Sequence, residues 1–214
     1  LVGETICYKS KKITYENDKE KIIFEDVSLE IKKGNKYLLL GKNGLGKSTL
    51  LLDLVYTLTN SSFRNQIGVV FQNESLMKMS IEENISFFKA HNSSNIKDIL
   101  KVFKIDKSLD TIVNDSVTNL SRGEIQRILI ARHIINGKRF LILDEALSGV
   151  EKKLQNEIFK YLLDKKITLI MISHKIDKSL INRFDQILLI SNGVVKGVKT
   201  ENGGEVLYER YMDE

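Results

Sequence analysis

The chain has 214 residues, 42% of them hydrophobic and 29% charged, with 33 Lys and Arg against 28 Asp and Glu, a net charge of +5. These proportions exclude a disordered or fibrous protein, and the length allows one substantial core. The positive charge reads as solvated surface and not as a nucleic-acid or lipid face, because bases are interleaved with acids, as in Lys152 and Lys153 beside Glu151 and Glu157.

The sequence starts at Leu1 and not at Met, as expected of a piece cut from a longer chain. No basic-then-apolar segment resembles a signal peptide, and no run approaches the roughly 18 apolar residues of a membrane span. One cysteine, Cys7, excludes an internal disulfide framework and suits a reducing compartment. Ile6–Tyr8, Ile13–Tyr15 and Ile22–Phe24 read as short strands, with the polar loop Glu16–Lys21 between the second and third. Val27, Leu29 and Ile31 alternate with polar neighbours, the pattern of a half-buried strand. Tyr37–Leu40 is continuously apolar, as is a strand buried on both faces. Gly41–Gly46 breaks it, and Ser48–Leu58 has a helical pattern.

Three further buried strands are predicted at Ile67–Phe71, Phe140–Leu143 and Thr168–Ile172, and a last apolar run, Ile187–Ile190, ends at Ser191-Asn192-Gly193. Helices are predicted over Ser121–Ile135 and Glu151–Leu163, and the stretch from Ser75 to Ile135 contains no convincing strand. Alternating strands and helices indicate an α/β domain around a mostly parallel sheet.

Residues 41–48 read GKNGLGKS, which satisfies G-x-x-x-x-G-K-[ST] between a buried strand and a helix. By average composition the bare pattern arises in roughly one such chain in a hundred. The glycines let main-chain N–H groups wrap phosphate oxygens, and the helix dipole adds positive potential. Gly41, Asn43, Gly44, Gly46, Lys47, Ser48 and Thr49 are therefore the candidate nucleoside triphosphate contacts, with Lys47 reaching the β- and γ-phosphates and the Ser48 hydroxyl on Mg²⁺. Downstream, Phe140–Leu143 runs into Asp144-Glu145. A buried parallel strand delivers the residues after it to the ligand-binding edge of the sheet. Asp144 is placed to hold Mg²⁺, directly or through water, and Glu145 to orient or deprotonate an attacking water.

Leu120-Ser121-Arg122-Gly123-Glu124 precedes that strand, and with it the chain resembles the ATP-binding cassette (ABC) ATPases, whose signature is LSGGQ. The resemblance runs over nearly the whole chain. It implies a RecA-like P-loop NTPase sheet with an N-terminal antiparallel β subdomain and a helical insert. The expected division is a core of 1–72 and 136–214 around a helical subdomain of 73–135. It also implies that Tyr15 stacks on adenine, that Gln72 senses Mg²⁺ and that His174 contacts the γ-phosphate. Ser121 and Gly123 are implied to touch the nucleotide of a second cassette packed head to tail, with Ser148–Glu151 crossing between the two. Met79–Ile85 and Leu109–Asp115 are similar to exporter segments. The implied protein is an ATPase motor that uses ATP and Mg²⁺ beside a transmembrane partner, fused or separate, at the cytoplasmic face of the cell membrane.

Three departures from the family pattern stand out. Arg122 replaces a glycine and Glu124 a glutamine, and Ser148-Gly149-Val150-Glu151 stands where SALD is usual. A carboxylate facing a triphosphate is repulsive, so both a homodimer and a heterodimer with a better partner signature are open. The stretch from Ser48 to Gln72 is shorter than usual in the family, which predicts that part of the β subdomain, or the connection after the first helix, is cut back. Two other classes compete. A soluble ATPase acting on DNA or ribosomes would need a long coiled coil or a second cassette, and a non-hydrolysing regulatory module would not need Glu145 and His174.

Overall fold

The computed structural model describes residues 5–15, 18–89, 91, 93–114, 120–173, 176–202 and 204–212. Strands β1 (Thr5–Tyr15) and β2 (Asp18–Lys32) pair antiparallel, so the short N-terminal runs merge into one long hairpin. Asp26, at φ 49°, interrupts the alternation of β2. Val27, Leu29 and Ile31 are buried on one side of it, and Phe24 joins them from the other.

The main sheet contains β3 (Lys36–Leu40), β4 (Ile67–Val70), β5 (Phe140–Asp144), β6 (Thr168–Ile172), β7 (Gln186–Ser191) and β8 (Val194–Lys199). Their order is β4-β5-β6-β3-β7-β8, parallel through β7, with β8 antiparallel at the edge. Each apolar run divides between two cores, one on each face of the sheet. Leu38, Leu40, Leu141 and Leu143 enter one core, while Tyr37, Leu39, Phe140 and Ile142 enter the other. That two-sided burial is why these strands have no polar positions to alternate with.

Helix α1 (Lys47–Thr59) and the β1–β2 hairpin cover the second core through Leu50, Leu54, Tyr8 and Phe24. Tyr8 fastens hairpin to helix by donating its hydroxyl to the Asp53 carboxylate. The opposite core is covered by α2 (Ile81–Ser86), α3 (Ser93–Val102), α4 (Arg122–Ile135), α5 (Lys152–Asp164), α6 (Lys178–Ile181) and α7 (Gly204–Met212). From α1 the chain passes through one 3-10 turn, Arg64–Gln66, straight into β4.

Strand β8 and helices α6 and α7 go beyond the sequence expectation. β8 follows the turn Asn192-Gly193, where both residues have positive φ, 49° and 73°. This is the backbone that a two-residue hairpin requires. As a half-exposed edge strand containing Lys196 and Gly197 it lacks an apolar run to announce it.

Helix α4 lies directly on β4. His133 Nε2 donates to the Val69 carbonyl oxygen at 2.9 Å, and an added Cβ on Gly68 would come within 2.6 Å of the His133 ring. Burial pushes the imidazole down from 6.5 to about 4, with the Val69 bond acting against the shift and Arg132 and Lys138 adding to it. Between those values the unfolded chain binds a proton that the folded chain does not. Stability is therefore full above about pH 6.5 and falls as the pH drops toward 4, by on the order of 3 kcal/mol. Denaturant titrations across that window should show the loss, and His133→Gln should flatten it.

Candidate functional site

All five parallel strands end on the same edge of the sheet, and β3 runs there into residues 41–46. Gly41 follows β3 beside Ile190, whose carbonyl oxygen a Cβ would approach to 3.1 Å. Gly44 and Gly46 have φ 80° and 85°. Gly46 must be glycine twice over, since an added Cβ would also sit 2.5 Å from Ile23 Cγ2 of the hairpin. It is the N-cap of α1, with no side-chain capping bond and no acid in the first turn. The helix end thus keeps its positive potential for an anion.

Lys47 is 8% exposed, and its Nζ donates to the carbonyl oxygens of Gly41 (2.7 Å) and Lys42 (3.0 Å). Burial lowers its pKa, and the charges of Glu145 and Asp144 act the other way. The ammonium therefore lies within electrostatic reach of both carboxylates. Asn43 and Ser48 are exposed and Thr49 half-buried along the same turn.

Asp144 is the last residue of β5 and only 5% exposed. Glu145 then turns the chain away at φ 48°, a left-handed conformation that costs a non-glycine residue on the order of 1–3 kcal/mol. Its N–H donates to the Ile172 carbonyl oxygen at 3.1 Å, which fixes the turn against β6. Its carboxylate Oε2 accepts from Gln72 Nε2 at 2.8 Å. Gln72 comes from the loop after β4, so two strand ends meet in one hydrogen bond. Among the described residues no group of three or more His, Cys, Asp or Glu side chains is arranged for a metal. A cation here would have the Ser48 hydroxyl, the Gln72 amide oxygen and the Asp144 carboxylate. That sparse oxygen set fits Mg²⁺, which keeps waters and takes phosphate oxygens.

Ser121 caps α4. Its Oγ accepts from the Glu124 N–H at 3.2 Å, and the Glu124 carboxylate accepts from the Ser121 N–H at 2.7 Å. Burial raises the Glu124 pKa, but the Ser121 bonds and the charges of Lys107 and Arg127 hold it below the usual range. The carboxylate expected to repel a triphosphate is thus turned back on its own helix end as a capping box. Gly123 is buried under the loop 146–150: an added Cβ would lie 2.7 Å from the Gly149 carbonyl oxygen. Gly149 N–H in turn donates to Gln126 Oε1 at 3.2 Å, so Ser148–Glu151 is docked on the signature helix.

Lys47, Gln72, Asp144 and Glu145 are therefore brought together, while Ser121 and Gly123 are engaged at the α4 terminus. Tyr15 ends β1, with its side chain outside what is described, and His174 lies outside the described residues. Sequence reasoning missed Asn73 and the contacts of Arg122. Arg122 Nη2 donates to the Gln72 carbonyl oxygen (3.2 Å) and to Asn73 Oδ1 (2.7 Å). The one available signal was a long cation where the family pattern has a glycine.

Residues 24–148 match the family described as ABC transporter. The chain is 36% identical over 192 residues to the lacticin-481/lactococcin-DR transport/processing ATP-binding protein of Lactococcus lactis, covering 78% of this chain and 27% of that one. The lactococcin-G-processing and transport ATP-binding protein of the same species is 29% identical over 241 residues, 96% of this chain and 33% of that one. An ATP-dependent lipid A-core flippase from Pasteurella multocida is 30% identical over 220 residues, 89% and 37% of the two chains. The chain thus spans about a third of the length of these relatives. A bacterial Atm1-family ABC exporter solved with ATP bound shares the fold, with a TM-score of 0.81 at 21% identity over 98% of this chain and 42% of that one.

The contact between Gly123 and Gly149 generates a test. Main chain cannot swing aside as a flexible side chain can, so Gly123→Ala should destabilise by about 1–3 kcal/mol. A fall in Tm of roughly 2–10 °C is expected, and an unchanged melting curve would contradict the packing.

Proposed function

The chain belongs to the ABC transporter ATP-binding family, and from that premise we propose that it is the ATP-binding and ATP-hydrolysing motor of a membrane exporter. The observation that carries the reading is the Gln72–Glu145 hydrogen bond beside buried Asp144, with the Lys47 ammonium within electrostatic reach of both carboxylates. A binding-only cassette has no use for a strained carboxylate held at the strand edge by an amide from a neighbouring loop.

In this reading the α1 N-terminus and Lys47 hold the phosphates of ATP. Ser48, Gln72 and Asp144 hold Mg²⁺, which when bound neutralises charge on the transferring phosphoryl group. Glu145 orients the attacking water and accepts its proton, and Gln72 fixes one oxygen of that carboxylate so that the other faces the water. Tyr15 as the adenine platform and His174 at the γ-phosphate complete the site by resemblance. A second cassette closes it with Ser121 and Gly123, excluding water and strengthening each electrostatic contact. The capping-box engagement of Glu124 supports pairing of two identical chains, because it draws the carboxylate away from a nucleotide held opposite.

Among the described residues no helix is long and apolar enough to cross a membrane, and the transmembrane partner in this reading is a further segment or subunit. The exposed apolar residues around α2, namely Met77, Phe87, Phe88 and Ile112, are suited to receive it at the cytoplasmic face. Phe88 is 74% exposed, a costly arrangement for a surface that meets only water. The relatives' names divide among lactococcin, multidrug and lipid A-core cargo. This is expected if the motor is common and the membrane segments choose the cargo.

Glu145→Gln should retain ATP binding within a few-fold and lose turnover by at least about 100-fold. A coupled assay of ATP hydrolysis beside a nucleotide-binding titration checks both. Near-normal turnover would rule out Glu145 as the base.

A further inference from the structure

Arg122 stands where the signature this chain resembles, LSGGQ, has a glycine. Its Nη2 reaches the Gln72 carbonyl oxygen at 3.2 Å and Asn73 Oδ1 at 2.7 Å. The same stretch of chain is held to the same helix at two further points. His133, at the other end of α4, donates to Val69. Arg132 approaches Glu74 at 3.9 Å while its guanidinium also bonds the Asn84 carbonyl oxygen and Oδ1. Positions 122 and 133 are about 16.5 Å apart along the helix. Residues 69–74 are therefore clamped at both ends of α4, and Gln72 in the middle of the clamp holds Glu145.

We propose that Arg122 is a positioning residue: it welds the signature end of α4 to the Gln72 loop, so that a displacement of the signature reaches the Gln72–Glu145 hydrogen bond. The proposal rests on the reading of Glu145 as the group that activates water. Neither end of the bond is deeply buried, and exposed polar contacts add little to global stability. The bond's effect is local. It fixes the Gln72 main chain, from which the amide reaches the carboxylate, and small displacements of such a group are felt strongly in turnover. Without Arg122, the hydrogen bonds and ion pair described between residues 69–74 and α4 are those of His133 and Arg132, both at the far end of the helix.

The test is a double-mutant cycle on the intact chain with Arg122→Ala, Asn73→Ala and the pair, with Arg122→Lys as the conservative variant. Arg122→Ala is expected to lower kcat about three- to tenfold, with KM for ATP within about twofold. Arg122→Lys should recover most of that loss, because an ammonium can donate to both oxygens. The double variant should be no slower than Arg122→Ala alone, with all melting temperatures nearly unchanged. Unchanged or raised kcat in Arg122→Ala, additive losses, or a loss that tracks melting temperature would overturn the proposal. Hydrogen exchange reads the Arg122 attachment without turnover: residues 71–74, which touch Arg122 at Gln72 and Asn73, should exchange faster in Arg122→Ala, and no change there also overturns the proposal. Glu145→Gln run alongside separates the two ideas, since active Glu145→Gln removes the base assignment while the exchange at 71–74 still decides the attachment.

Discussion

The site depends on one backbone event, the turn at Glu145. Strand β5 is buried on both faces to its last residue, Asp144, and the chain must leave the sheet at once. It does so in a left-handed conformation held by the Glu145 N–H on the Ile172 carbonyl oxygen of the adjacent strand. The consequence is that Asp144 stays in the low-dielectric edge of the sheet while Glu145 projects to meet Gln72. Two consecutive acids thereby acquire different surroundings, and in the proposed reading one serves a cation and the other a water.

The phosphate side of the site is built by the same logic of strand ends. β3 and β5 are not neighbours; β6 lies between them. The α1 N-terminus thus stands at the end of one strand and the carboxylates at the end of another, with Lys47 within electrostatic reach of both acids. The hairpin β1–β2 takes part as well, because Ile23 and Phe24 press on Gly46 and hold the cradle in shape. The signature lies at the terminus of α4, where a capping box orders Ser121 and the Gly149 carbonyl packs over Gly123. Cradle and signature are thus separate surfaces of one chain, as two cassettes sharing two sites would need.

The core strands and the cradle were legible because the physics that forms them is local. A continuous apolar run can only be a strand covered on both faces or a buried helix segment, and the short runs at Tyr37, Phe140 and Thr168 have strand length. GKNGLGKS combines conformational and chemical demands that few other folds satisfy together. Gln72 and Glu145 share a hydrogen bond beside Asp144, with Lys47 within electrostatic reach of both acids. What was not legible depends on contacts across the fold. β8 owes its place to pairing with β7, not to its own half-polar sequence. Glu124 looked like an unfavourable charge until the helix end supplied a donor for it. Arg122 read as a departure from the family, and only the placement of Gln72 and Asn73 opposite α4 gives its guanidinium partners.

The most direct measurement is light scattering on the Glu145→Gln chain over a range of concentrations, with and without ATP and Mg²⁺. A 24.5 kDa monomer that doubles in mass when nucleotide is added is the predicted result. A chain that binds ATP and keeps the monomer mass at every concentration would contradict it, since the Ser121–Gly123 surface would then close no second site of its own kind.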